Sequence, residues 1–401
     1  MSASYRLFGA ETSAFSTKLR SFMRYKGLEH EWVARTQETE EALQEASRFT
    51  TLPVLVTASG FAVHDTTPTM EALEADSPEP QATPEDKVCA FLSVVLEDYA
   101  DIWLSKAVMQ YRWGRKKDRK AAAARAIDEY FVSQAPDNRK ELEEQSIERM
   151  ESSFAKMGLE NDVGAAVEKS FKRFVKLLNA HLEKHLYIFG GRPSFADFGI
   201  AAQIGQLLKD PTSATIIEKD GQFIKAWVDM MDNPKPGGPF EAFDALEETL
   251  KPLFKKEIAV TFLPWGAANL EASLAREEEV VVLAGRDELK HAPLKSAARS
   301  FKDTRRKFSA QDDESDLIAF LDAVGATQYL RRPERVRAEG EDGDGDDGNR
   351  RRGRRGRRRG GRNRRNDRQD AQSGDNGAET VSDAQGSDDG QASSDADTEN
   401  A

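Results

Sequence analysis

The last 71 residues of the chain, from Arg331 to Ala401, contain no Leu, Ile, Phe, Met, Trp, Tyr or Cys. A segment without large apolar side chains cannot bury enough surface to offset the entropy that folding removes. We therefore predict a globular body over residues 1–331 and a disordered tail at 332–401. The hydrophobic fraction of the whole chain, 38%, is low because this tail dilutes an ordinary core.

Charge separates the same two parts. The net charge is −12 for the chain and −1 for residues 331–401, which leaves −11 on residues 1–330. An acidic body argues against nonspecific binding of nucleic acid or membranes by the folded part. Because we find no long apolar run and no secretory signal, we expect a cytoplasmic protein that does not span a membrane. The only cysteine, Cys89, excludes an intrachain disulfide and lies on an apolar helix stripe, which predicts a core residue.

The tail contains the most basic segment of the chain. Residues 350–365 hold 11 Arg, four Gly and one Asn, and acidic segments at 339–347 and 367–401 flank them. Unfolded Arg/Gly segments commonly bind RNA through phosphate charge and guanidinium stacking. The flanking acids could instead neutralise the Arg block within a solvated tail. Composition leaves both interpretations open, an arm that binds RNA or another polyanion and a solvated end.

The body divides into regions with different patterns. Residues 1–76 alternate strand and helix signals in the order β-α-β-α-β-β-α. Residues 77–84 (SPEPQATP) contain three prolines and predict a linker. The pattern then becomes helical, so we predict a helical domain at 85–253 and an appended extension of helices and strands at 254–331.

The order of elements resembles the glutathione S-transferase superfamily, and individual residues strengthen the resemblance. Ser13 lies seven residues before Arg20, as the active residue does in the Ser- and Cys-type classes. Phe15 falls where Cys-type members have the Phe of a Cys-Pro-Phe sequence, and Leu52-Pro53 stands where a cis proline precedes the third strand. The resemblance extends to large bacterial members with a C-terminal extension. It implies an α/β thioredoxin-like N-terminal domain followed by an all-α glutathione transferase C-terminal domain.

The resemblance also implies a site for glutathione as co-substrate. Ser13 would donate a hydrogen bond to the glutathione thiolate, which the N-terminus of a helix also stabilises. The residues that the resemblance places around the rest of glutathione are Phe15, Leu52, Pro53, Asp65 and Thr66. Asp65-Thr66 departs from the Glu/Gln-Ser pair usual in the family, although a hydroxyl at a helix N-terminus still suits a carboxylate. Without function, Ser13 and Asp65 would be simple helix caps.

Three aromatic residues, Tyr99, Trp103 and Tyr111, follow one another at intervals of four and eight residues. The resemblance implies that their helix, within 85–113, flanks the pocket for the acceptor substrate. An aromatic stripe on a helix otherwise packs in the core. Further along the chain, Ser194 and Asp197 predict a capping box at a helix N-terminus.

Two functions remain open on the sequence. The first is an enzyme, a homodimer that transfers glutathione to an electrophilic, partly apolar small molecule. The second is a noncatalytic binding or scaffold protein of the same fold, whose Arg/Gly tail binds RNA or another polyanion. A metal is not expected: His181 and His185 lie four residues apart, but Leu182 stands where a zincin motif requires Glu. We predict that this pair lies on a solvated helix face.

Overall fold

The computed structural model describes residues 5–49, 51–159, 162–311 and 314–331. The predicted tail at 332–401, with its Arg/Gly block at 350–365, lies outside the described residues. Within the described part, an α/β region comes first and a predominantly helical region follows. The predicted fold class of the body is therefore confirmed, with one strand pair added to the helical region.

The N-terminal region is built on one four-stranded mixed sheet with the strand order β2-β1-β3-β4. Strand β1 is parallel to β2 and antiparallel to β3, which pairs in turn with β4. The element order β-α-β-α-β-β-α matches the prediction. The bounds are β1 Tyr5–Gly9, α1 Ala14–Tyr25, β2 His30–Ala34, α2 Glu40–Ala46, β3 Val54–Thr57, β4 Ala62–Val63 and α3 Thr66–Asp76.

The second region consists of helices and one hairpin. Two helical runs pass through π-helical turns, Tyr99–Leu104 between α4 and α5, and Phe254–Phe262 between α12 and α13. A 3₁₀ turn at Ala155–Met157 follows α7. The bounds are α4 Lys87–Asp98, α5 Ser105–Trp113, α6 Lys116–Tyr130, α7 Arg139–Ser152, α8 Val163–Leu182, α9 Phe195–Leu207, α10 Pro211–Asp220, α11 Gln222–Met230, α12 Phe243–Leu253, α13 Leu263–Ala275, β5 Val280–Ala284, β6 Asp287–His291, α14 Lys295–Ser309, α15 Ser315–Val324 and α16 Thr327–Leu330.

The predicted boundary between residues 253 and 254 falls inside a continuous helical run. Helix α12 passes through the π-helical turn into α13, although Pro252 removes one backbone donor from the run. Leu317, Leu321 and Leu330 belong to the same hydrophobic cluster as the helices before that boundary. Buried residues of 254–331 therefore share one hydrophobic core with the helices before that boundary.

Helices α1 and α9 join the two regions. Phe22 of α1 contacts the rings of Phe195 and Phe198 at centroid distances of 5.6 and 5.3 Å. The predicted capping box at the start of α9 is present, and Asp197 accepts a hydrogen bond from the Ser194 backbone at 2.9 Å. The Asp197 carboxylate also accepts from the Ile188 backbone at 2.9 Å. This buried carboxylate therefore fixes the end of α9 on which the sheet domain rests.

Candidate functional site

Ser13 occupies the N-cap position of α1. Its Oγ accepts a hydrogen bond from the Ser16 backbone at 3.3 Å, so the helix-cap interpretation is confirmed. The cap uses a lone pair of the hydroxyl oxygen, and the structure shows no acceptor for the Ser13 O–H among the described residues. Ser13 lines a cavity of about 650 Å³. A ligand in this cavity can accept a hydrogen bond from the Ser13 hydroxyl while Ser13 continues to cap the helix.

The loop that carries Ser13 is fixed by the helical region. The Glu129 carboxylate accepts hydrogen bonds from the backbone N–H groups of Glu11 and Thr12, the latter at 3.1 Å. Arg112 donates to the Thr12 carbonyl oxygen at 3.0 Å, and Gln206 donates to that of Glu11 at 2.8 Å. Hydrogen bonds to both the N–H groups and the carbonyl oxygens of this loop hold Ser13 in place without a ligand, as a preorganised site requires.

The segment before β3 forms a second part of the cavity wall. The Leu52–Pro53 peptide bond is cis, as the resemblance implied. Both residues line the cavity, together with the half-buried Phe15 of α1. Ser13 and Pro53, which lie 40 positions apart in the sequence, thus line the same cavity.

Asp65 and Thr66 form a third part at the start of α3, and both line the cavity. Asp65 stands at the N-cap position, but its side chain makes no capping hydrogen bond. Its backbone has φ +79°, a conformation that costs a non-glycine residue energy and that persists only where the surroundings enforce it. The carboxylate of Asp65 thus makes no regular capping bond. Burial raises the pKa of Asp65, and the Lys18 charge and the nearby Thr67 backbone N–H oppose that shift.

A buried charge network that the sequence analysis missed lies beneath these segments. Lys18 of α1 donates to Glu97 at 2.5 Å and to Asp101 at 2.6 Å, and Thr67 of α3 donates to Glu97 at 2.5 Å. Burial raises the pKa of Asp101 against the effect of the Lys18 charge, and its Oδ1 has no hydrogen-bond partner among the described residues. The sequence offered one indication of this network, the lysine Lys18 among the residues of the buried face of α1.

The cavity encloses about 650 Å³ and extends from these segments into the helical region. One wall comes from the α5 side and a second from α14. The residues of the first wall include Asp101, Ile102, Ser105, Lys106, Met109 and Trp113. Those of the second include Ser296, Ala297, Arg299, Lys302 and Arg306. Sequence reasoning missed the second wall, because nothing in residues 294–308 indicates which distant helix they face.

The structure corrects the predicted acceptor pocket. Tyr99, Trp103 and Tyr111 are at most 1% exposed and do not line the cavity. Trp103 donates to Ser170 at 2.8 Å, and the Tyr99 hydroxyl donates to Glu257 at 3.3 Å. The alternative interpretation as core residues holds. The π-helical turn at Tyr99–Leu104 has more residues per turn than an α-helix, so the side of the helix that faces the cavity is not the one a period of 3.6 predicts.

The two histidines do not lie on a solvated helix face. His181 is fully buried, and its ring nitrogens pair with the Thr249 hydroxyl at 2.8 Å and the Ile188 carbonyl oxygen at 2.9 Å. Burial lowers the pKa of His181 to about 3. Cys89 is buried in the core, as predicted. Among the described residues, no cluster of three or more His, Cys, Asp or Glu is arranged to hold a metal ion.

No helix in the described ranges has the length and apolar character needed to cross a membrane.

Two family models match the sequence. "Glutathione S-transferase, N-terminal domain" matches residues 12–76, and "Glutathione S-transferase, C-terminal domain" matches residues 144–229. A comparison with curated protein sequences found no significant match.

Similar solved structures include three bacterial proteins. A GST-like protein from Pseudomonas syringae is 20% identical, with 60% of this chain and 70% of that chain covered and a TM-score of 0.36. A glutathione S-transferase from Rhodospirillum rubrum is 19% identical, with 62% and 91% covered and a TM-score of 0.38. A glutathione S-transferase from Methylobacillus flagellatus with glutathione bound is 16% identical, with 57% and 95% covered and a TM-score of 0.35.

Proposed function

We infer the function of this chain from the superfamily to which it belongs, that of the glutathione S-transferases. We propose that it uses the thiolate of glutathione to attack an electrophilic, partly apolar small molecule. In this proposal residues 1–76 bind glutathione, and the helical residues 85–331 supply the site of the acceptor substrate.

One observation carries the proposal. Three segments that are distant in the sequence line a single cavity: Ser13 at the start of α1, Leu52-Pro53 before β3, and Asp65-Thr66 at the start of α3. These are the positions at which the sequence analysis placed glutathione. A scaffold protein without a ligand has no need to bring them to a common open space.

Each segment has a chemical role in this proposal. The Ser13 hydroxyl donates to the thiolate, and the N-terminus of α1 adds favourable potential, so both lower the thiol pKa. Thr66 and the N-terminal backbone of α3 bind the γ-glutamyl carboxylate, while Asp65 pairs with the ammonium group. The main chain of Leu52, next to Pro53 and Phe15, holds the cysteinyl part.

The test is retention on immobilised glutathione together with conjugation of 1-chloro-2,4-dinitrobenzene. We expect Ser13→Ala to lower the rate constant at neutral pH by about tenfold or more and to raise the pH midpoint of the reaction by about one unit. Ser59→Ala, in the exposed turn between β3 and β4, is the control and should behave as wild type. A wild-type protein that neither binds glutathione nor conjugates the probe would disprove the proposal.

We also propose that the enzyme works as a cytoplasmic homodimer. The basis is the family expectation alone, and sedimentation equilibrium of the full chain tests it. A single species at the mass of one chain, 44.6 kDa, would contradict the dimer.

The alternative function is a scaffold whose block at 350–365 binds RNA or another polyanion. Its support is the density of arginine in that block. Crosslinking to RNA in cells, compared between the full chain and a chain ending at Leu330, tests it. Equal recovery of RNA with both would exclude a role for the tail.

A further inference from the structure

Lys106 on α5 is a buried lysine without a carboxylate partner. The other two buried lysines of the described residues are paired, Lys18 with Glu97 and Asp101, and Lys26 with Glu74 at 2.7 Å. Lys106 is 5% exposed, and its Nζ donates to the carbonyl oxygen of Met157. Among the described residues no carboxylate lies within ion-pair distance of it. It nevertheless lines the cavity that Ser13 faces.

The groups around this amine carry no negative charge. Its Nζ lies over the ring of Trp265, 4.9 Å from the centroid. The Trp265 indole N–H donates to Nε2 of His291 at 2.7 Å, while Nδ1 of His291 donates to the Ala292 carbonyl oxygen at 2.8 Å. These bonds identify His291 as neutral with the proton on Nδ1, and burial lowers its pKa to about 4. Lys106 is therefore surrounded by an indole face, a carbonyl oxygen and a neutral imidazole.

A buried ammonium in such surroundings lacks the counter-ion that would compensate its desolvation. Consistent with this, burial lowers the pKa of Lys106 to about 7. Since the side chain borders an open cavity, an anionic group of a ligand is able to take the counter-ion's place. An ion pair formed there, away from bulk water, is stronger than one at the surface.

Helix α14 adds positive charge at the same cavity. Arg299, Lys302 and Arg306 are spaced by three and four residues, so they share one helix face, and all three line the cavity. Arg306 pairs with Asp303 at 2.7 Å, whereas Arg299 and Lys302 form no ion pair with any described residue. An exposed row of cations raises the local concentration of anionic ligands.

Apolar side chains complete the wall. Ile102, Met109 and Met157 line the cavity together with Leu294 and Ala297. This combination of an apolar wall, a buried cation and an outer row of cations selects a ligand that has an apolar body and an acidic group.

We propose that the acceptor substrate is an organic anion, an electrophile with an apolar body whose carboxylate pairs with Lys106 and is attracted by Arg299 and Lys302. The proposal rests on the proposed transferase function for its nucleophile. Lys106 is then a specificity-determining residue, and α14 gives the C-terminal part of the chain a role in choosing the substrate.

The binding test uses two probes that do not react, 3,5-dinitrobenzoate and the neutral 1,3-dinitrobenzene, with the full chain in the absence of glutathione. We expect wild type to bind the benzoate about tenfold or more tightly than the neutral ring. Lys106→Met should abolish most of that preference and leave binding of the neutral ring within about twofold. Lys140→Met removes a lysine whose side chain is 90% exposed and should retain the preference.

The kinetic test compares 4-chloro-3,5-dinitrobenzoate with 1-chloro-2,4-dinitrobenzene. In both reactions the thiolate sulfur bonds to the ring carbon and chloride leaves with the electron pair of the carbon–chlorine bond. Lys106→Met should raise KM for the benzoate by a larger factor than KM for the neutral probe, whereas Lys140→Met should change neither.

Equal binding of the two nonreacting probes by wild type would overturn the proposal, as would an unchanged preference in Lys106→Met. If that variant does not fold, Lys106→Gln provides the same comparison, and the wild-type measurement remains decisive by itself. A preference for the benzoate without conjugation of either chlorinated probe would support the anion site while contradicting the transferase function.

Discussion

Single residues in this protein combine a structural role with an exposed chemical group. Ser13 caps α1 through a lone pair, which leaves its O–H able to donate to other partners. Asp65 holds an unfavourable backbone conformation while its side chain makes no cap. Lys106 keeps its ammonium group beside a cavity without a counter-ion. The arrangements of Asp65 and Lys106 are less stable than their nearest simple alternatives, which is typical of residues that contact ligands.

Asp65 allows the cost of such an arrangement to be measured. Asp65→Gly relieves the strain at φ +79° and removes the carboxylate. We expect the free energy of unfolding to rise by about 1 kcal/mol, because glycine adopts positive φ without a Cβ clash. Glutathione affinity should fall by about tenfold, since the ammonium group loses its partner. Urea unfolding and calorimetric titration measure the two effects. A variant that is less stable than wild type, or that binds glutathione equally well, contradicts this expectation.

Lys106 predicts a pH dependence of stability. Burial lowers its pKa from 10.5 to about 7 in the folded chain. Between these values the unfolded chain binds more protons than the folded chain, so this residue makes the free energy of unfolding rise with pH. Lys106→Met removes that contribution, and we expect a gain of about 1–4 kcal/mol at or below pH 7 that fades towards about pH 10.

Urea unfolding at a series of pH values measures this difference. Lys140→Met is the control, because its exposed side chain should give no pH-dependent gain. Parallel pH profiles for wild type and Lys106→Met would show that the lysine is not destabilising in the folded state.

Among the elements, the sheet and its helices could be predicted from the sequence because their signals are local. Strands with apolar runs, proline before β3 and glycine after α1 give the order β-α-β-α-β-β-α. The π-helical turn at Tyr99–Leu104 could not be predicted, because its extra residue per turn leaves no compositional mark. Because of this turn, Tyr99 and Trp103 lie in the core, whereas Ile102 and Lys106 line the cavity. The helix itself was predicted, but its phase was wrong.

The capping box of α9 could also be predicted from the sequence, because Ser194 and Asp197 are only three residues apart. Its carboxylate is buried and accepts hydrogen bonds from the backbones of Ser194 and Ile188 and from the Trp227 indole N–H, the last at 3.3 Å. Asp197→Ala would leave these donors unpaired, so we expect a loss of about 2–4 kcal/mol of unfolding free energy. Asp244→Ala, in the exposed first turn of α12, should change stability by less than about 0.5 kcal/mol. Equal losses in chemical denaturation would refute the special role of Asp197.

At the scale of the whole molecule, composition predicts the division between body and tail. It does not predict that residues 254–331, expected as an appended extension, share a hydrophobic cluster with the helices before them. The contact of α14 with α4 includes hydrogen bonds from Ser300 and Thr304 to Asp98, at 2.5 and 2.7 Å, which join residues 202 and 206 positions apart. Burial raises the pKa of Asp98 to about 6. Contacts between residues so far apart in the sequence leave no periodic pattern. The position of α14 in the cavity wall could therefore not be predicted from the sequence.

Removal of the tail tests the division between body and tail. A chain ending at Arg331 retains α16 and every described contact, so we expect its melting temperature to stay within about 2 °C of the full chain. Conjugation should be unchanged, and the alternative proposal, that the block at 350–365 binds RNA, predicts that this truncation loses salt-dependent binding to an RNA oligonucleotide. A chain ending at Ala292 is the contrast. It lacks the partners of Asp98 and should be insoluble or unfolded. A large drop in the melting temperature of the longer truncation would contradict the division.

The helical run from α12 through α13 has a consequence for how the molecule comes apart. Because the helix is continuous from residues 243–253 to residues 263–275, we expect the described helices on the two sides of residue 253 to unfold together. Thermal unfolding of the body should then be a single cooperative transition, with equal calorimetric and van't Hoff enthalpies. The amide hydrogens of α4 and α14 should exchange with solvent through the same rare opening. Heat that destroys one wall of the cavity destroys the other at the same temperature.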